Sequence, residues 1–392
     1  MCCEWTTLTE PIPVAVLSTS RADGGPLGSV LAGLDADPRF LLLAMVWRIG
    51  GVVDDAAEVP RLPDLGSRVV RRVTSADARG AELGVVGADL ASWVSQVLDE
   101  HRPRAMLVLG DRWELPFAIL PGLLQDVCIV HLHGGELSAG AIDDRIRHAI
   151  TKLADLHLCA TEEAAARIRG LGEPRQRIVV TGAPGLDRFT GLVPAADQEL
   201  AALFQRQVRR PFGLVTYHPP TAVHQDHGLA AADVFAACAR ELADVLVTHP
   251  GADPGSAPIL AAADAAVAAY PQLCLVPSLG QRYPAVLASA DVVVGNSSSG
   301  IIEAASFGVP VVDVGTRQSG RLAGPNVLHV DEGMDSTAAG IRIALDPAWR
   351  RGWANMVNPY GDGRAVPRIL DALAEHLPLG VGPKRFVDEA HR

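Results

Sequence analysis

Side chains able to hold or move charge gather in a few short segments of this 392-residue chain. In Val292-Val-Val-Gly-Asn-Ser-Ser-Ser-Gly-Ile-Ile-Glu303 an apolar, strand-like run empties into a polar Gly/Ser turn that opens a helix, with a carboxylate about one turn inside. Backbone N–H groups at such a helix start, the Ser297 and Ser298 hydroxyls and the positive end of the dipole favour phosphate. The segment, with Asn296 at its head, is therefore a candidate cradle for a nucleotide diphosphate, and Glu303 could accept two hydrogen bonds from a ribose diol. The plainer reading is a Ser-rich cap on an ordinary helix.

Other segments carry acids and imidazoles. Gly110-Asp-Arg112 puts Asp111 and Arg112 directly after an apolar run, either as ligand contacts or as a helix cap and a surface charge. In His131-Leu-His-Gly-Gly-Glu136, two histidines and a carboxylate flank a Gly pair through which backbone can approach a ligand. A zinc site there would need further matched ligands. Ile142-Asp-Asp-Arg-Ile-Arg-His148 opens a helix with two acids and sets Asp144, Arg147 and His148 on one side, which ordinary dipole matching and i,i+3 or i,i+4 pairing would also explain. Asp111, His133, Glu136, Asp143 and Asp144 crowded together would repel one another, raising carboxylate pKa values and supplying an acid and a base near neutral pH. His218 before Pro219, and Arg317 with Arg321 nearby, are candidates to meet the diphosphate.

These segments need a scaffold that brings them to one edge. Val14–Leu17, Phe40–Val46, Ala105–Leu109, Val127–Val130, Leu156–Cys159 and Ile178–Val180 read as strands alternating with helices, the clearest helix being Asp89–Leu98. The pattern pauses from Gly182 through a polar stretch to Arg210. It then restarts with Phe212–Tyr217, Val245–Thr248, Leu273–Val276, Val292–Val294 and Val311–Val314. Near-continuous apolar strands alternating with helices imply parallel, doubly wound sheets. The expectation is an α/β chain of two Rossmann-like domains: residues 11–185, completed by a C-terminal helix at 365–380, and residues 186–364. Ligands of open α/β sheets bind beyond the carboxyl ends of the strands, where the unusual polar residues cluster, so the active site is expected in the cleft between the domains.

Bulk composition narrows the function classes. Hydrophobic residues at 48% against 20% charged describe a well-packed globular protein and exclude disorder. A net charge of −11 leaves no basic excess for nucleic acid or an anionic membrane. The six cysteines are scattered, and Cys128, Cys159, Cys238 and Cys274 sit in apolar runs; Cys2-Cys3 lacks a second pair at metal-ligand spacing. No metal or cofactor is expected. The N-terminus lacks the features of a signal peptide and no apolar run is long enough to span a bilayer, so the expectation is a soluble, cytoplasmic protein.

Taken in order, these motifs resemble the UDP-N-acetylglucosamine 2-epimerase family, in its hydrolysing branch of sialic-acid-pathway type. The likeness runs from about Val14 to about Leu370. It rests on Ser20-Arg-Ala-Asp23, Gly110-Asp-Arg112, His133-Gly-Gly-Glu136, Asp143-Asp144 with Arg147-His148, and Val215-Thr-Tyr-His-Pro219. Gly295-Asn-Ser-Ser-Ser-Gly300 with Glu303, Gly315-Thr-Arg-Gln318, Gly324-Pro-Asn-Val327 and the block from Tyr360-Gly-Asp-Gly to Arg368 complete it. The resemblance implies a glycosyltransferase-B-like fold and conversion of UDP-N-acetylglucosamine and water to N-acetylmannosamine and UDP through 2-acetamidoglucal. It further implies a homodimer with a small-molecule nucleotide-sugar substrate and neither nucleic-acid nor membrane partners. Arg21, His218, Ser297, Ser298 and Arg317 would then hold the diphosphate and Glu303 the ribose. The proton-transfer pool would be Asp111, His133, Glu136, Asp143 and Asp144, with Asp111 and Asp143 foremost.

Three departures from the family pattern stand out. Met45-Val-Trp-Arg-Ile-Gly50 replaces a Gly-x-His segment and adds the bulky Trp47, Gly24 stands where many relatives have an aromatic, and His249-Pro-Gly251 replaces Tyr-Pro-Asn. The first two are expected near the sugar, which leaves open a modified hexosamine such as a 4-acetamido-6-deoxy sugar of the bacillosamine type. A retaining glycosyltransferase and a catalytically silent UDP-sugar-binding protein are the competing readings.

Overall fold

The computed structural model describes residues 10–20, 23–49, 68–74, 83–138, 142–219, 227–250, 255–378 and 383–388. The chain divides into two compact units. The first comprises residues 1–136, 143–188 and 363–392, and the second residues 137–142 and 189–362, so the segment after Glu136 groups with the later half of the chain.

The first unit is built on a seven-stranded sheet in the order β3-β2-β1-β4-β5-β6-β7, with every pairing parallel. Its strands are β1 (Ile12–Ser18), β2 (Phe40–Ile49), β3 (Val69–Thr74), β4 (Ala105–Leu109), β5 (Cys128–Leu132), β6 (Leu156–Cys159) and β7 (Ile178–Val180). β1, β4, β5 and β6 are buried on both faces and mostly apolar because helices cover both. On one face lies a core of Val14, Leu27, Leu34, Leu107 and Val130, closed by Val366, Ile369 and Leu373 of the helix Ala365–His376. On the other, Leu90, Trp93, Val94, Val97 and Leu98 of the helix Leu83–His101 pack with Trp47 and Met106.

The second unit holds a six-stranded sheet, also parallel, in the order β10-β9-β8-β11-β12-β13. Here the strands are β8 (Phe212–Thr216), β9 (Asp244–Thr248), β10 (Leu273–Val276), β11 (Val292–Gly295), β12 (Val311–Val314) and β13 (Val327–Val330). In each sheet the strand order reverses beside the first strand, between β1 and β4 and between β8 and β11. Such a switch point leaves a crevice at the carboxyl ends that backbone does not fill.

Three features depart from the sequence reading. β3 and β13, both edge strands, were not expected, and the polar stretch before Arg210 contains the helix Asp197–Phe204, which buries only Leu200 and Phe204. Among the described cysteines Cys128, Cys159 and Cys238 are buried, and burial pushes the Cys128 and Cys159 thiols up to about 12, so they act as small core residues. No helix among the described residues is long and apolar enough to cross a membrane.

Candidate active site

At the switch point of the first sheet, β1 ends in a turn gripped by Asp23. Its Oδ2 accepts from the N–H groups of Thr19 and Ser20, each at 2.8 Å, and from the Ser18 hydroxyl at 3.3 Å. Burial raises the Asp23 carboxyl above its ordinary range. Arg48 donates to the Ser18 carbonyl (2.9 Å), the Trp47 carbonyl (2.8 Å) and the Ser18 hydroxyl (3.1 Å), fastening the ends of β1 and β2 together. Trp47 itself, expected beside the sugar, is wholly buried in the core between sheet and helices. Alternation turns its side chain inward, whereas Arg48 occupies the edge. Arg21 lies outside the described residues.

β4 ends at Gly110, whose φ of +77° makes the turn that presents Asp111. Both polar groups of Gly110 are held from β5: its N–H donates to Leu132 O at 2.9 Å, and its C=O accepts from His131 Nε2 at 2.8 Å. His131 is fully buried, and burial depresses its pKa to about 3, so the ring is neutral and committed to this turn. It takes no part in a metal cluster; no group of three metal-capable side chains occurs among the described residues.

Arg147 lies at the centre of the acid set. Its guanidinium is 2% exposed and pairs through Nη2 with Asp111 Oδ2. Nη1 donates to Asp144 Oδ1 at 3.2 Å and to the Glu136 carbonyl at 2.7 Å. The helix Ile142–Leu153 supplies this arginine with Asp143 and Asp144 in its first turn, and His148 approaches Asp144 Oδ2 at 3.5 Å. One expectation changes here. Arg147 is a buried hub for protein groups, and Asp111 and Asp144 are drawn together by this shared cation where repulsion had been expected. Arg112 likewise reaches back to the buried Glu114, Nε to Oε1 at 2.5 Å.

His133 and Glu136 form a second pair, Nδ1 to Oε1 at 2.5 Å, with both side chains mostly buried. The carboxylate, which can only accept, fixes the proton on Nδ1 and orients the ring. His133 adopts φ +60° and Gly135 +76°; a Cβ on Gly135 would lie 2.3 Å from Ala164 O, so only glycine fits this sharp loop. Arg167 of the helix Glu162–Gly170 donates to Gly135 O at 3.0 Å and closes the loop.

The second unit repeats the logic at its own switch point. His218 follows β8 and Asn296 follows β11. The Asn296 side chain accepts from the His218 N–H at 2.7 Å and donates to the His218 carbonyl at 2.8 Å. Both ends of the Asn296 amide are thus engaged by the His218 backbone, which holds His218 in place. His218 Nδ1 donates to Pro250 O at 2.8 Å, which fixes the orientation of the ring. Arg317 Nη1 (3.1 Å) and Gln318 Nε2 (2.8 Å) both donate to Asn296 O, so one residue joins the ends of β8, β11 and β12. Gln318, nearly fully buried, was named from sequence only as part of its motif and not as a site residue; its place one residue after Arg317 was the available signal.

Ser297 caps the short helix Ser298–Ile302, its hydroxyl accepting from Ser299 N, and Ser299 in turn bonds Tyr283. Glu303 follows that helix, half-buried. Arg321 reaches the Ser138 hydroxyl at 3.4 Å within this unit.

Comparison with known proteins bears on this geometry. Residues 72–374 match the family described as UDP-N-acetylglucosamine 2-epimerase. The chain is similar to the UDP-N,N'-diacetylbacillosamine 2-epimerase (hydrolyzing) of Legionella pneumophila, 32% identical over 75% of this chain and 76% of the relative. It is also similar to the UDP-N-acetylglucosamine 2-epimerase of Neisseria meningitidis, 33% identical over 81% and 83%. In fold it matches a crystal structure of UDP-GlcNAc 2-epimerase from Neisseria meningitidis bound to UDP-GlcNAc. There the TM-score is 0.77 at 17% identity, covering 93% of this chain and 100% of that one. Two doubly wound parallel sheets, the ordered motifs at their carboxyl edges and a match spanning residues 72–374 agree, and the chain belongs to the UDP-N-acetylglucosamine 2-epimerase family.

Proposed function

We propose that the protein is a hydrolysing UDP-hexosamine 2-epimerase, acting on UDP-N-acetylglucosamine or a close 4-substituted analogue. The observation that carries this reading is the Arg147-centred set, in which two acids and a loop carbonyl are fixed at the sheet edge beside Asp143. Sugar transfer has no use for so many proton-handling groups, whereas removal of a weakly acidic C2–H requires them.

In the reaction, the C2–H bond is lost to a base while its electron pair forms the C1–C2 double bond, and the C1–O pair departs with UDP. Water then adds across the 2-acetamidoglucal, its hydroxyl to C1 and a proton to C2 from the opposite face. Asp111 and Asp143 are assigned to the proton transfers at C2, with the His133–Glu136 pair beside them as a relay. Asp144 and Arg147 orient Asp111. Departure of UDP gathers negative charge on the diphosphate, which His218, Ser297, Ser298 and Arg317 would receive, while Glu303 holds the ribose. The names of the bacterial relatives include both N-acetylglucosamine and diacetylbacillosamine substrates, which makes the substituent at C4 the point to test.

Incubation with UDP-N-acetylglucosamine and UDP-N,N'-diacetylbacillosamine in deuterated water should release UDP and give the 2-epimeric free sugar carrying deuterium at C2 from one of them. UDP release without deuterium at C2 would mean simple hydrolysis and would refute the epimerase assignment.

A further inference from the structure

We propose that the C-terminal strap at residues 383–388 positions the acid-bearing helix Ile142–Leu153, with Lys384 as its key residue. The helix carries the proposed catalytic groups in its first turn, and the strap grips its other end. Lys384 Nζ donates to the carbonyls of Thr151 (3.1 Å), Lys152 (2.7 Å) and Ala154 (2.6 Å). These lie where a helix leaves carbonyls unsatisfied and its dipole is negative, so one ammonium both completes hydrogen bonds and matches the field.

The same Nζ is 2.9 Å from Glu173 Oε2, a carboxylate with no exposed side-chain surface. Glu173 also takes His157 Nε2 at 3.2 Å and Lys152 of the helix itself. Burial alone would raise Glu173, but bonds from His157, Lys152 and Lys384 outweigh it and hold the carboxyl at about 2. A buried carboxylate thus ties the helix end to the strap. Two further contacts fix the register of the strap. Val387 N donates to Gly172 O at 2.9 Å, and the Phe386 ring covers Gly172, where a Cβ would come within 2.4 Å of it. Lys152 Nζ lies 5.0 Å from the centroid of the same ring.

A 12-residue helix is a stiff rod of about 18 Å, so a shift at the Lys384 end is carried to Asp143, Asp144 and Arg147 at the other. Proton transfer tolerates little misplacement. Lys384 touches none of the proposed reacting groups, and its effect runs through the helix.

The activity arm of the test rests on the epimerase reading, and the exchange arm does not. Lys384→Met, Lys384→Arg and the gentler Phe386→Ala would be compared with the wild type by kcat, KM and hydrogen exchange of amides 145–151. Expected are faster exchange across those amides and a kcat lowered at least tenfold with KM within about twofold in Lys384→Met, partial recovery in Lys384→Arg, and a smaller loss in Phe386→Ala. If Lys384→Met does not fold, Phe386→Ala alone decides. Unchanged exchange in the helix overturns the proposal, whatever the activity. So does faster exchange with unchanged kcat, because the helix end would then move without consequence. If the wild type turns over none of the UDP-hexosamines, the functional reading fails, and the exchange arm still judges the strap.

Discussion

Replacing Arg147 by Lys tests the acid set at one group of atoms, because only a guanidinium can meet Asp111, Asp144 and the Glu136 carbonyl together from a buried position. A lysine reaches one or two of them as a point charge and leaves the rest unpaired. The expected outcome is a kcat lower by about 100-fold and a stability loss of about 2–4 kcal/mol, read by steady-state kinetics and denaturant melts. Asp111→Asn keeps the shape and removes the base, so turnover should vanish while UDP binding by calorimetry stays within a few-fold. Near-full activity of Asp111→Asn would remove Asp111 from the proton-transfer pair. This residue-scale picture was half legible in the sequence. The types and their clustering were visible, but the partner of Asp111 lies 36 residues away and that of Asn296 lies 78 away. Only the fold could show that Arg147 and Asn296 spend their polar atoms on protein groups.

Among the elements, the turn after β11 carries the tightest constraint. Gly295 has φ +133°, and a Cβ there would sit 2.1 Å from the Thr216 carbonyl oxygen on the neighbouring β8. The clash is with backbone in the middle of a sheet and has nowhere to relax. Gly308 shares the sign of φ, at +63°, yet meets nothing within 4 Å. Gly295→Ala should therefore cost at least about 3 kcal/mol and displace His218, whereas Gly308→Ala should cost only about 1–2 kcal/mol of left-handed backbone strain. Thermal melts of the pair check this, and equal losses would mean the close approach to Thr216 is not the cause. Strands such as β4, β8 and β11 were readable from sequence because burial on both faces demands unbroken apolar runs. β3 escaped because an edge strand with Arg71 and Arg72 facing solvent carries no such signature, and the helix Asp197–Phe204 escaped because two apolar residues make a weak stripe.

For the whole molecule, buried histidines make the first unit the acid-sensitive one. His131, depressed by burial to about 3, and His157, also lowered by burial despite its bond to Glu173, are neutral when folded and free to protonate when unfolded. As pH falls below their ordinary value of 6.5, the unfolded chain therefore binds more protons, and stability declines with pH until the folded values are reached. Glu173 adds a loss of the same sign only below 4.5, the ordinary value from which it is depressed. Asp23 works the other way, since its raised folded value favours the folded state on acidification, and so does His329, raised by Asp313 but half exposed in the second unit. Between pH 6.5 and 5, His131 should cost the first unit on the order of 1–2 kcal/mol, and His157 adds a loss of the same sign. Peptide-resolved hydrogen exchange, corrected for intrinsic rates, should show β4, β5 and β6 losing protection over that range while β8 and β11 hold theirs. His131→Gln keeps a donor for Gly110 O but cannot titrate, so it should flatten the pH dependence by the share His131 contributes. An identical pH response in both units, or a His131→Gln slope equal to the wild type, would show that these two imidazoles do not set the acid limit.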